Sequence, residues 1–209
     1  MVEIKDKKKE ASPENLILEA ARRVFVRKGF DGARMQEIAD EAGVNKALVH
    51  YYYRSKDNLF EAIFNDAFKH FWPSLEPVIV KEDASVKDLI RAAVNGYMDI
   101  LGKMPYLPMF VAGEINRSPE RIEGLLKTAG IQPQIIVDFF QKQMDLGEVV
   151  KMNPREIFVN IVGLCVFPFI SKQLLCRMLW KSEDEFDAFI EQRRDALYEF
   201  ICRAVLVNP

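Results

Sequence analysis

Lys46, Ala47, His50 and Tyr51 stand three, four or five residues apart, so on an α-helix they share one face while Val49 and Tyr53 point the other way. The chemistry open to that face is hydrogen bonding to acceptor-rich edges. A lysine ammonium and an imidazole can donate to N7 and O6 of guanine or to phosphate oxygens. Alanine lets the helix approach closely, and tyrosine offers a ring and a hydroxyl. Tyr52 and Lys56 flank the face as phosphate ligands. Three consecutive tyrosines could also cap a small core with their hydroxyls in water.

Such a face must be held out by a second element, and the residues just before it supply one. Gly43 suits a turn needing positive φ after the last turn of a helix. Ala39, four residues earlier, allows two crossing helices to approach, and Ile38, Val44 and Val49 provide apolar contacts that fix their angle. Residues 34–60 thus read as a helix, a glycine turn and a second short helix with an apolar inner and a polar outer face. This is the arrangement that enters a DNA major groove.

The stretch Ile38-Ala39, Ala42-Gly43-Val44, Val49-His50-Tyr51-Tyr52-Tyr53, Ser55-Lys56 and Leu59-Phe60 resembles the signature of the TetR family of bacterial transcriptional regulators. The resemblance covers residues 12–60. It implies that Lys46, Ala47, His50 and Tyr51 face the groove, that Tyr52 and Lys56 contact the backbone, and that Gln36 on the preceding helix lies near the DNA. It also implies a homodimer, and repression rather than activation. Two positions depart from the pattern. Arg34 stands where the family usually has a threonine that caps the second helix. His50 stands where it usually has a tyrosine, which suggests a different base preference.

The 209 residues suffice for a small head and a larger body. With 49% hydrophobic and 29% charged residues the composition is that of a folded chain. Net charge is only −2, yet residues 1–56 carry 12 Lys and Arg against 9 Asp and Glu, and the remainder is acidic. A weakly basic head on an acidic body suits docking on DNA by one end. The expected domains are a disordered basic tail over 1–11, a helix-turn-helix domain over 12–56 and a helical ligand-binding and dimerisation domain over 57–209.

The N-terminus, with Lys5, Lys7, Lys8 and Lys9 among acids, lacks the apolar stretch of a signal peptide. The longest apolar run, 161–170, is too short to span a membrane and contains Pro168. Cys165, Cys176 and Cys202 lack metal-ligand spacing and read as reduced thiols, so a cytoplasmic protein is expected, with no membrane, metal or cofactor.

Helical signals run through the whole chain, and the fold expected is all-α. Ser12-Pro13 opens a first helix ending at Gly29, and Ser55 caps another expected to run to Pro73. Further helices are expected at about 85–102, 105–116, 119–129 and 132–146. Asn153-Pro154 and Ser182 start the last two, at about 154–180 and 183–206. The first of these is apolar nearly all round, more than one neighbour requires, so the pair is expected to form a four-helix interface with a second subunit.

Phe64, Phe68, Tyr97, Leu101, Met104, Phe110, Phe140 and Met144 fall on helices that would surround one interior. They are the candidate ligand-binding residues for an apolar small molecule, although ordinary core packing accounts for any one of them. Glu114, Asn95, Gln141 and Arg117 are polar candidates for orienting it. The function expected is a sequence-specific regulator released from a palindromic double-stranded operator by that effector. The alternative is an all-helical lipid carrier or enzyme with an incidental helix-turn-helix. An enzyme would need converging catalytic groups, but the only histidines are His50 and His70, and no nucleophile elbow, metal cluster or phosphate loop is present. No catalytic residue is therefore expected.

Overall fold

The computed structural model describes residues 12–69, 71–81, 83–180 and 182–208. The expected basic tail over 1–11, and His70, lie outside them. Among the described residues the chain forms twelve α-helices and no strand, with one isolated antiparallel bridge between Val149 and Leu206. The all-α expectation holds. The chain divides into two compact units, Met1–Phe64 and Asn65–Pro209. The first unit reaches Phe64, past the Lys56 at which the helix-turn-helix domain was expected to end.

In the first unit, the Ser12 hydroxyl accepts from Asn15 N–H at 3.3 Å and Pro13 sits in the first turn, which starts α1 (Pro13–Gly32). Its regular part stops at Gly29 (φ 68°, ψ 176°), as expected, and a short kinked turn follows. Next come α2 (Met35–Ala42), α3 (Lys46–Tyr53) and the first turns of α4 (Lys56–Phe68). Ile17, Val24, Ile38, Val49, Leu59 and Ile63 are fully buried in this small core. Phe60 packs edge-on against both Phe25 (6.0 Å) and Phe30 (5.3 Å). Those contacts are why the start of α4 belongs with the head.

The second unit contains α5 (Trp72–Ile79), α6 (Val86–Lys103), α7 (Leu107–Arg117), α8 (Pro119–Thr128), α9 (Pro133–Asp145), α10 (Pro154–Ile170), α11 (Lys172–Leu179) and α12 (Glu183–Val205). One apolar core joins α5, α6, α9, α10 and α12, with Trp72, Ile90, Val94, Phe140, Ile157 and Ile201 among its buried members. The pair α6 and α12 is also tied at its rim. Arg91 donates to Asp195 at 2.8 Å and lies over the Tyr198 ring, and Arg194 donates to Asn95 (3.1 Å) and Asp99 (2.6 Å).

Two expectations about helix length are corrected. The helix starting after Ser55 stops at Phe68, and Pro73 opens α5 where it was expected to close α4. A proline in a first turn loses no helical hydrogen bond, so it can begin a helix as readily as end one. The long helix expected over 154–180 is two helices, α10 and α11, bent by 74° at Ser171. Pro168 has no N–H to give the Leu164 carbonyl four residues back. That carbonyl is satisfied from another element, accepting from Arg193 Nη2 of α12 at 2.9 Å. Ser171 ends the helix by donating both its N–H (3.0 Å) and its hydroxyl (2.7 Å) to the Phe167 carbonyl. No single described helix is long and apolar enough to cross a membrane.

Candidate nucleic-acid interface

Gly43 takes the left-handed conformation (φ 68°, ψ 29°) at the end of α2. Its N–H donates to Asp40 O at 3.2 Å while Val44 N–H reaches Ala39 O at 3.0 Å, a double closure that sets the exit direction of the chain. The Asn45 side chain then accepts from Leu48 N–H at 2.8 Å and starts α3 one residue before Lys46. Sequence reasoning missed this cap, though an asparagine directly ahead of a helix is its usual signal. Arg34 precedes α2 without a side-chain cap bond, consistent with the missing threonine.

The two faces of α3 divide as expected. Val49 is fully buried and Tyr53 nearly so, with the Tyr53 hydroxyl donating to Glu14 O of α1 at 3.4 Å. Lys46, Ala47, His50 and Tyr51 are exposed, Tyr51 at 77%. Tyr52 is at the margin of exposure and meets the Tyr51 ring edge-on at 5.2 Å. Gln36, also exposed, donates to Asp40 at 2.8 Å on its own helix. Below, Glu41 joins α2 to α1 by accepting from Arg23 and Arg27, both at 2.8 Å. The Arg27 bond, then that of Arg23, holds the Glu41 carboxyl below its ordinary range.

Lys56 has partners within the chain. Its ammonium donates to Asp31 O (3.3 Å) and Ala33 O (3.2 Å) and sits 4.5 Å from the Phe30 ring centre. It caps carbonyls at the end of α1 and fastens α4 there.

The eight expected ligand-binding residues take different surroundings among the described residues. Phe68, Tyr97, Phe140 and Met144 pack in the core of the second unit. Tyr97 and Phe140 line an apolar cavity of only about 40 Å³. Met104 lies instead in an open groove of about 570 Å³ with Asp66, Lys69, Phe71, Asn95 and Gly96. Leu101 and Phe110 are buried on α6 and α7, and Phe64 falls in the first unit. Of the polar candidates, Glu114 is buried 3.5 Å from Arg121, Asn95 is engaged by Arg194, and Gln141 and Arg117 are exposed. Burial pushes the Tyr97 hydroxyl and the Cys165 thiol up, the latter to about 12.

A short helix with a polar outward face, braced by a glycine-turned partner and a third helix, is a helix-turn-helix DNA-binding head. Residues 17–63 match the family model described as bacterial regulatory proteins, tetR family. The chain is 23% identical over 179 residues to the probable HTH-type transcriptional regulator YttP of Bacillus subtilis, covering 83% of this chain and 85% of that one. Its fold is similar to that of HlyIIR, a hemolysin II transcriptional regulator (TM-score 0.67, 21% identity, 93% of this chain and 97% of that one). It is also similar to that of FadR from Bacillus subtilis, solved in complex with stearoyl-CoA (TM-score 0.65, 18% identity, 90% and 97%). Residues 17–63 thus carry the DNA-binding head of the TetR family of bacterial transcriptional regulators.

Proposed function

We propose that this regulator is a repressor that binds a palindromic operator as a homodimer and is released when an apolar small molecule enters its second unit. The observation that carries the DNA-reading part is the division of α3, with Val49 and Tyr53 inward and Lys46, Ala47, His50 and Tyr51 outward on a turn fixed by Gly43. A dimer with recognition helices roughly 34–36 Å apart would engage successive major grooves. Gel shifts against the DNA flanking its own gene test this. A specific complex that requires Lys46 and His50 is expected, and no specific complex at low ionic strength would reject the reading.

Exposed apolar side chains support the dimer. Phe167 on α10 (59%), Leu174 and Met178 on α11 (59% and 69%) and Phe200 on α12 (60%) stand in solvent in the single chain. So much apolar surface on three neighbouring helices is the mark of an interface. Light scattering at micromolar concentration should give twice the chain mass, and Phe200→Glu should shift it toward one.

The effector reading rests on core composition and on the bound acyl-CoA named for FadR. A cavity of about 40 Å³ is far below the roughly 300–1,000 Å³ that small-molecule sites occupy, so binding at that place requires the core to open. The effector would then shift α4, which continues from one unit into the next, and change the spacing of the recognition helices. A coupling of roughly 1–3 kcal/mol, about 5- to 150-fold in operator affinity, is the scale to look for. Unchanged operator affinity at a saturating concentration of a ligand shown to bind would reject this switch.

A further inference from the structure

The His50 ring is locked, and the lock decides what its exposed edge can read. Its Nδ1 lies 2.9 Å from the Arg54 carbonyl oxygen. A carbonyl only accepts, so Nδ1 carries the proton and donates. The Arg54 N–H in turn donates to the His50 carbonyl at 2.9 Å, closing a reciprocal pair between the two residues. Arg54 holds this arrangement with φ 56° and ψ −46°, and it is the one non-glycine residue with positive φ among the described residues. Strain of that kind persists only where the surroundings fix it. In a neutral imidazole with the proton on Nδ1, the other nitrogen, Nε2, is a bare acceptor.

We propose that His50 reads an exocyclic amine, adenine N6 or cytosine N4, accepting its N–H at Nε2, and so selects against guanine and thymine at that position. This differs from the donor role that residue type alone suggested, and it rests on α3 entering the major groove as proposed above. Guanine and thymine present only acceptors on their major-groove edges, N7 and O6 or O4, and these would meet the lone pair of Nε2 without a proton between them. Lys46, one turn earlier, is exposed and can only donate. The two are roughly 6 Å apart along the helix axis, about two base steps. The half-site should therefore hold an acceptor edge, such as guanine, within about two steps of an adenine or cytosine.

Selection of bound duplexes from a randomised pool at pH 8 tests this with wild type, His50→Ala and His50→Arg. The wild type is expected to enrich a half-site in which one position favours adenine or cytosine about fivefold to tenfold. That preference should vanish in His50→Ala and turn to guanine in His50→Arg. A wild-type preference for guanine or thymine at the His50-dependent position would overturn the acceptor role. So would an unchanged motif in His50→Ala. If the wild type enriched no motif at all, the DNA-reading assignment itself would fall, an outcome distinct from the other two. His50 is exposed, so neither variant removes buried packing.

Discussion

Replacing Arg193 by Met should destabilise the second unit by an amount that depends on whether residue 168 is proline. In the native chain Arg193 Nη2 is the donor to Leu164 O at 2.9 Å, because Pro168 has none to offer. Removing a charged donor from a carbonyl inside a packed helix costs about 1–3 kcal/mol. Arg193 is only half-buried, so the lower part of that range, about 1–1.5 kcal/mol, is the working figure. With Pro168→Ala in place, the backbone N–H gained at that position can close the ordinary helical bond to Leu164, and Arg193→Met should then cost less than about 0.5 kcal/mol. The single Pro168→Ala change combines relief of a helix-interior proline with loss of buried ring carbons, so its own sign is not the test. The coupling is the test: about 1 kcal/mol, from urea unfolding of the four proteins at one fixed protomer concentration. A coupling below about 0.3 kcal/mol would refute the claim that Arg193 substitutes for the missing amide.

Three further outcomes follow from the geometry. A Cβ at Gly43 would meet nothing within 4 Å, so Gly43→Ala should cost only the left-handed backbone penalty of about 1–2 kcal/mol, with Gly43→Asn costing less in the same urea titration. Lys56→Ala should lower unfolding stability by about 1 kcal/mol through loss of its two carbonyl bonds, whereas a lysine serving only as a phosphate ligand would leave stability unchanged. The Cys165 thiol is raised by burial, against a smaller opposing pull from Arg193, so folding favours its neutral form. Its contribution is fully present below the unfolded thiol's value of about 8.5 and is lost as pH climbs toward about 12. Urea midpoints should accordingly fall between about pH 8 and about pH 10 more steeply in wild type than in Cys165→Ala.

What the sequence made legible was local. The turn at Gly43, the face of α3, and the Ser12, Ser55 and Ser182 caps each depend on residues within a few positions of one another, and the structure has all of them. Proline was ambiguous because its effect depends on register. Pro73 in a first turn starts α5, while Pro168 inside α10 is accommodated by a donor from α12 that no local pattern reveals. The carbonyl bonds of Lys56 were hidden for the same reason, since its partners at Asp31 and Ala33 are distant in sequence. The backbone of Arg54 left no signal, because nothing about an arginine marks positive φ. Of the apolar residues named for a ligand chamber, Phe68, Tyr97, Phe140 and Met144 pack in the core of the second unit while Met104 lines an open groove, because periodicity says which side chains turn inward and not whether they leave space.

The eight residues of α11 bury not one side chain in their own chain. Peptides that short have little helicity in water without help, and the local help here is largely the Lys172 ion pairs with Asp187 and Glu183 at one end. On the proposed dimer, its order would be borrowed from the second copy covering Leu174 and Met178. Diluting the protein until copies separate should unravel this segment first, making it the earliest point of protease entry and tying the lifetime of the molecule in a cell to how much of it has been made.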